Sequence, residues 1–188
     1  MSINMKYIEE SIKKEKAIPF ILFDSESKLF KLTQEGINVI QKIKEPFSIV
    51  SIAGMYRTGK SYLINKVLLD KSNSEEGFNV GSTKNACTKG LWIWPTPINL
   101  SNKCKTFLID TEGFGAYDED QNHDYKIIIL ALLSSSMFIY NSLGTIDENA
   151  IQSLSFVVNL SKKLNQMNKS NQASNYFPDL MWVVRDFS

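Results

Sequence analysis

The residues Gly54-Met55-Tyr56-Arg57-Thr58-Gly59-Lys60-Ser61 separate two glycines by four positions and close on a lysine and a hydroxyl. Glycines let the backbone curl until successive N–H groups point inward, a concavity suited to phosphate oxygens. Lys60 adds a mobile positive charge for β- and γ-phosphates, and the Ser61 hydroxyl is of a type that ligates magnesium. The plainer reading of such a segment is a glycine-rich turn at a helix start. Three further sets of residues could complete the chemistry. In Asp110-Thr111-Glu112-Gly113, the first carboxylate can hold a magnesium-bound water and the Gly113 N–H can sense a γ-phosphate, although the pattern alone also fits an ordinary turn. Thr88 offers a hydroxyl that could reach magnesium only while a γ-phosphate is present. Asp186, after Arg185, could accept two N–H bonds from guanine, a donor pair that adenine lacks, or could simply pair with a cation.

These residues need elements to place them. Four short apolar runs read as buried strands: Phe47 to Ala53, Thr106 to Ile109, Met137 to Tyr140 and Leu180 to Val184. The glycine-rich segment follows the first, Asp110 follows the second, and Arg185-Asp186 follows the fourth. Helical spacing shows in Lys60 to Leu69, with Leu63, Ile64, Val67 and Leu68 on one face, and in Ile151 to Leu164. Phe30 to Ile43 adds a strand and a short helix. Trp92 and Trp94, two apart, read as strand core residues. Strand, phosphate-binding turn and helix in this order specify an α/β P-loop NTPase fold, a mainly parallel sheet with helices on both faces.

Composition narrows the classes. The 188 residues are 43% apolar and 22% charged, which suits one globular domain with a buried core. A net charge of +1 supplies no bulk attraction for nucleic acid or an anionic membrane. The longest purely apolar run, Ile127 to Leu133, is far below the ~20 residues of a membrane span, so no direct membrane insertion is expected. Alternating charges near the start do not read as a signal peptide, and Cys87 and Cys104 fit no zinc spacing. The expected location is the cytoplasm. Asn and Ser cluster between Ser161 and Asn175 as a surface loop.

Taken together, Gly54 to Leu63, Thr88 to Trp94, Asp110 to Gly113, Met137 to Ile146, Tyr176 to Asp179 and Trp182 to Phe187 resemble the guanylate-binding proteins, large GTPases of the dynamin superfamily. The resemblance runs from about Phe30 to Ser188, with motifs in the expected order. It divides the chain into a lead-in, residues 1–28, and a GTPase domain, residues 29–188. It implies hydrolysis of GTP to GDP with magnesium held by Ser61, Thr88 and Asp110, and nucleotide contacts along Gly54 to Tyr62 and at Thr88, Asp110, Gly113, Arg185 and Asp186. It also implies catalytic roles for Arg57, Lys60, Thr88 and Glu112. Arg57 would be an arginine finger turned onto the phosphates when two such domains meet as a nucleotide-dependent homodimer; its plainer reading is a solvated loop arginine. Glu112 would join the network around the attacking water; its plainer reading is a surface carboxylate.

Two departures temper these expectations. Family members carry Ser-His ahead of the switch threonine where this chain has Ala86-Cys87, and the missing serine hydroxyl bears on proton relay. The chain also ends at Ser188, ahead of the family's guanine cap and helical domain, so the domain is expected to be incomplete at its C-terminal side. The alternatives to a GTPase are a module that binds GTP with negligible hydrolysis, or an inert truncated product.

Overall fold

A computed structural model of the chain describes residues 16–71, 76–80, 90–101, 104–113, 121–144 and 178–186, with positions 148, 151, 152, 155 and 159. In chain order the elements are β1 (Ile18–Asp24), β2 (Leu29–Leu32), α1 (Gln34–Gln41), β3 (Phe47–Ala53) and α2 (Lys60–Leu63), which runs on as a π-helical turn, Ile64–Leu68. They continue as β4 (Gly90–Ile93), β5 (Ile98–Ser101), β6 (Cys104–Thr111), α3 (Gln121–Leu133), β7 (Met137–Leu143) and β8 (Asp179–Arg185).

The strands form one sheet in the order β2-β1-β4-β6-β3-β7-β8, with β5 paired to β6. Its core is parallel: β3 pairs with β6 on one side and β7 on the other, and β7 pairs with β8. The β1, β2, β4 and β5 pairings are antiparallel. The 180–184 run, in β8, is thus separated from the P-loop strand β3 by β7. The four strand runs read from apolar stretches are all present.

Side-chain alternation divides the core into two layers. Phe47, Ile49, Ala53, Phe107, Ile109, Phe138 and Tyr140 pack on one face with Ile127, Ile128 and Ala131 of α3. Val50, Ile52, Leu108 and Ile139 pack on the other with Ile64 and Phe78. The same layer takes Trp92 of β4, which is partly buried, and Trp94, which is buried but lies one residue past the strand rather than within it as expected. Both faces of the central strands β3, β6 and β7 are covered, which suits their apolar sequences, whereas the edge strand β8 leaves Leu180 and Met181 exposed.

The helix expected over 60–69 starts at Lys60 but widens after one turn, with the Leu69 N–H bonded to the Ile64 carbonyl. This shifts the buried face: Ile64 is buried, whereas Val67, expected beside it, is 67% exposed. The turn also sends Asn65 inward, where its carboxamide donates to the Phe78 carbonyl at 2.9 Å and accepts the Phe78 N–H at 2.8 Å. Next to it, the Ala17 N–H reaches the Gly77 carbonyl at 3.2 Å.

β1 lies within the residues read as lead-in, yet it pairs with β2 and β4 and buries Ile18, Phe20 and Ile21. Thr33 caps α1, accepting the Gly36 N–H and donating to the Pro19 carbonyl. Of the 151–164 helix, positions 151, 152, 155 and 159 are helical and the rest lies outside the described residues, as does the 161–175 loop. No helix among the described residues is long and apolar enough to cross a membrane.

Candidate functional site

The C-terminal ends of β3, β6 and β8 and the segment after β3 form the candidate site, where open α/β sheets bind ligands. Gly54 must lack a side chain, because a Cβ there would stand 2.0 Å from the Asn141 carbonyl oxygen. Arg57 is exposed and held at φ +61°, a left-handed conformation that costs a non-glycine residue about 1 kcal/mol or more. Its guanidinium lies over the Tyr56 ring, 5.1 Å from the centroid.

Lys60 is only 6% exposed, and its Nζ donates to the Met55 carbonyl at 3.0 Å. Burial pushes its pKa down, opposed by the negative charges of Asp110 and Glu112. The Ser61 hydroxyl donates to Asp110 Oδ2 at 2.5 Å. Burial raises the Asp110 carboxyl to about 6, opposed by Lys60 and the Ser61 hydrogen bond. Asp110 Oδ1 is buried with no hydrogen-bond partner among the described residues. Gly113 closes the site: a Cβ there would lie 2.7 Å from Lys60 Nζ and 2.6 Å from the Tyr56 Cα.

Glu112 is buried, 5% exposed, and so is not the surface carboxylate that its plainer reading expects. Its N–H donates to the Gly90 carbonyl at 2.9 Å, and its Oε2 accepts the Gly90 N–H at 3.1 Å. The same oxygen faces His123 Nε2 at 3.3 Å. At the other end of the site, Arg185 Nη1 donates to the Thr58 and Gly59 carbonyls at 3.3 and 3.1 Å, and its guanidinium lies over the Tyr62 ring. Asn141 Nδ2 donates to the same Thr58 carbonyl at 2.9 Å. Asp186 follows, exposed and at φ +51°.

The structure thus gathers Gly54 to Tyr62, Asp110, Glu112, Gly113 and Arg185. Thr88, with Ala86 and Cys87, lies outside the described residues. Sequence reasoning missed Asn141 and His123, neither of which belongs to a motif with its own chemistry. It also gave Arg185 to the nucleotide, whereas its hydrogen bonds here go to the Thr58 and Gly59 carbonyls of the segment after β3.

The model of the guanylate-binding protein N-terminal domain matches residues 27–188. The chain belongs to the guanylate-binding protein family. It is 36% identical to mouse guanylate-binding protein 7, 38% to human guanylate-binding protein 5 and 35% to human guanylate-binding protein 1, each over 90% of its own length. It spans 27% of the mouse protein and 30% of each human one. It also superposes, at a TM-score of 0.33 and 12% identity, on 26% of a bacterial selenocysteine-specific elongation factor, covering 74% of its own length. The fold of this chain is an α/β P-loop fold with a parallel core.

Proposed function

We propose that this chain binds GTP with magnesium and hydrolyses it to GDP. The observation that carries the reading is the convergence of Lys60, Ser61 and Asp110 below the curled segment 54–59, with Asp110 Oδ1 buried and without a partner among the described residues. Such an arrangement is costly in a free protein and suits a site completed by a ligand. The donor set fits magnesium, a hard cation that takes hydroxyl and carboxylate oxygens and keeps several waters. Ser61 and Asp110, with Thr88, would hold it, and it would supply charge neutralisation for the phosphates.

The chain's own residues carry the remaining roles. Lys60 Nζ donates to the Met55 carbonyl, and its further N–H donors are available to phosphate oxygens. Gly113 leaves room beside Lys60 for a γ-phosphate contact by its N–H. Glu112 fixes the water network of the nucleophile. Arg57 is the finger: it is exposed, and its guanidinium rests against the neighbouring Tyr56 ring. It would act on the transition state when two such domains form a GTP-dependent homodimer. Asp186 reads the guanine. The expected setting is the cytoplasm, with no nucleic acid and no direct membrane insertion.

Single-turnover hydrolysis, run beside a GTP-binding titration with and without EDTA, tests this reading. Magnesium-dependent binding with conversion to GDP supports it. Binding without conversion selects the second reading, a nucleotide-dependent interaction module, which Ala86 favours. Absence of binding leaves neither.

A further inference from the structure

His123 is the one histidine in the sequence, and no motif accounts for it. It sits in the first turn of α3, 7% exposed, with Nε2 at 3.3 Å from Glu112 Oε2. Its ring packs edge-on against Phe23 of β1, with centroids 4.9 Å apart, and beside Phe30 of β2 at 5.2 Å. The imidazole is therefore gripped by the antiparallel edge of the sheet while its nitrogen faces the carboxylate next to Lys60.

An ionised carboxylate only accepts hydrogen bonds, so the contact requires the proton to be on Nε2. Glu112 Oε2 then receives two donors, the Gly90 N–H and His123 Nε2–H, from two different elements. Together with the Glu112 N–H to Gly90 carbonyl bond, this leaves the carboxylate little rotational freedom. A group meant to orient water must itself be held, and such support typically comes from outer partners that never touch the reactants.

We propose that His123 is a positioning residue for hydrolysis, holding the Glu112 carboxylate in place through Nε2–H. The proposal rests on the GTPase reading above and adds a residue to it. Replacement by alanine would confuse loss of the donor with loss of packing, so two replacements that separate these losses are informative. His123→Phe keeps an aromatic ring against Phe23 and Phe30 but removes the donor. His123→Gln keeps an N–H donor but removes the ring.

The expected result is a crossed pattern. His123→Phe melts near the wild type yet loses about tenfold in kcat with KM for GTP within about twofold, the signature of an interaction used in the transition state. His123→Gln melts lower yet keeps kcat within about threefold. In a Glu112→Ala background His123→Phe causes no further loss, because one residue acts through the other. Nitrogen NMR of the single histidine in the free protein provides a readout independent of turnover: Nε2 is protonated, and its signal shifts in Glu112→Ala. A histidine protonated on Nδ1 alone, or a His123→Phe variant with wild-type kcat, overturns the proposal while GTP turnover stands. A wild type that binds GTP without turning it over overturns the hydrolytic reading and this proposal together.

Discussion

The two ends of the candidate site are built on opposite terms. At the phosphate end, Lys60, Asp110 and Glu112 are all buried, and burial pushes the first two toward their uncharged forms. At the other end, Asp186 is exposed, and Arg185 Nη1 donates to the Thr58 and Gly59 carbonyls. Unfavourable burial of charge is therefore concentrated where the triphosphate would lie. The contrast implies that phosphate contacts dominate affinity and rate, with the base end contributing discrimination.

The largest expected effect is at Arg57. Arg57→Ala should lower kcat by about 10³ while leaving GTP affinity within about threefold, because a finger charge acts on the transition state. Rates at several protein concentrations check it; equal turnover in both proteins, flat with concentration, removes the finger from the phosphate end.

Next comes the pH dependence of the nucleotide-free fold. The Asp110 carboxyl binds its proton more tightly in the folded chain, at about 6, than at the ordinary value of 3.8. Its contribution therefore disfavours folding above pH 6 and relaxes as pH falls from 6 towards 4. The shift of about two units corresponds to about 3 kcal/mol. Thermal melts of the wild type and Asp110→Asn between pH 4 and 7 should diverge in this window, and parallel curves would mean that the buried carboxylate is not strained as described.

Lys60→Ala should weaken GTP binding by roughly a hundredfold, the scale of losing a charge-assisted phosphate contact. Calorimetric titration decides it, and unchanged affinity would remove the P-loop assignment itself. The smallest effect belongs to the base end: Asp186→Asn should cost about tenfold in GTP affinity, while improving xanthosine triphosphate, whose 2-oxo group an amide can pair with. If Asp186→Asn costs more than Lys60→Ala, the comparison between the two ends is inverted.

The parallel half of the fold was legible because β3, β6 and β7 are largely covered on both faces and so read, as the more exposed β8 also does, as short apolar runs between polar punctuation. The antiparallel half was not. β1 carries Pro19 at an irregularity in its pairing with β4, and proline within an apolar run argues against a strand. β2 turns Leu29 and Leu32 outward, so burial leaves little pattern there. The run Ile127 to Leu133, noted only as too short for a membrane, is the second half of α3; an apolar stretch without polar breaks shows no period. In the site, Lys60, Ser61 and Asp110 were legible because phosphate chemistry fixes their spacing. The burial of Glu112 was not, since it depends on Gly90 and His123, distant in sequence and free of any motif.

The inward turn of Asn65 has a mechanical consequence. Its carboxamide mimics one more peptide unit, pairing with Phe78 as a neighbouring strand would, and the adjacent Gly77 carbonyl is taken by Ala17. The α2 segment that starts at Lys60 is thereby fastened, through these few rungs, to the stretch of chain that enters β1. Tension on the backbone at Lys16 would be delivered to the segment behind the Gly54–Gly59 turn as well as to the sheet edge, so a tether at that point is not mechanically remote from the candidate site.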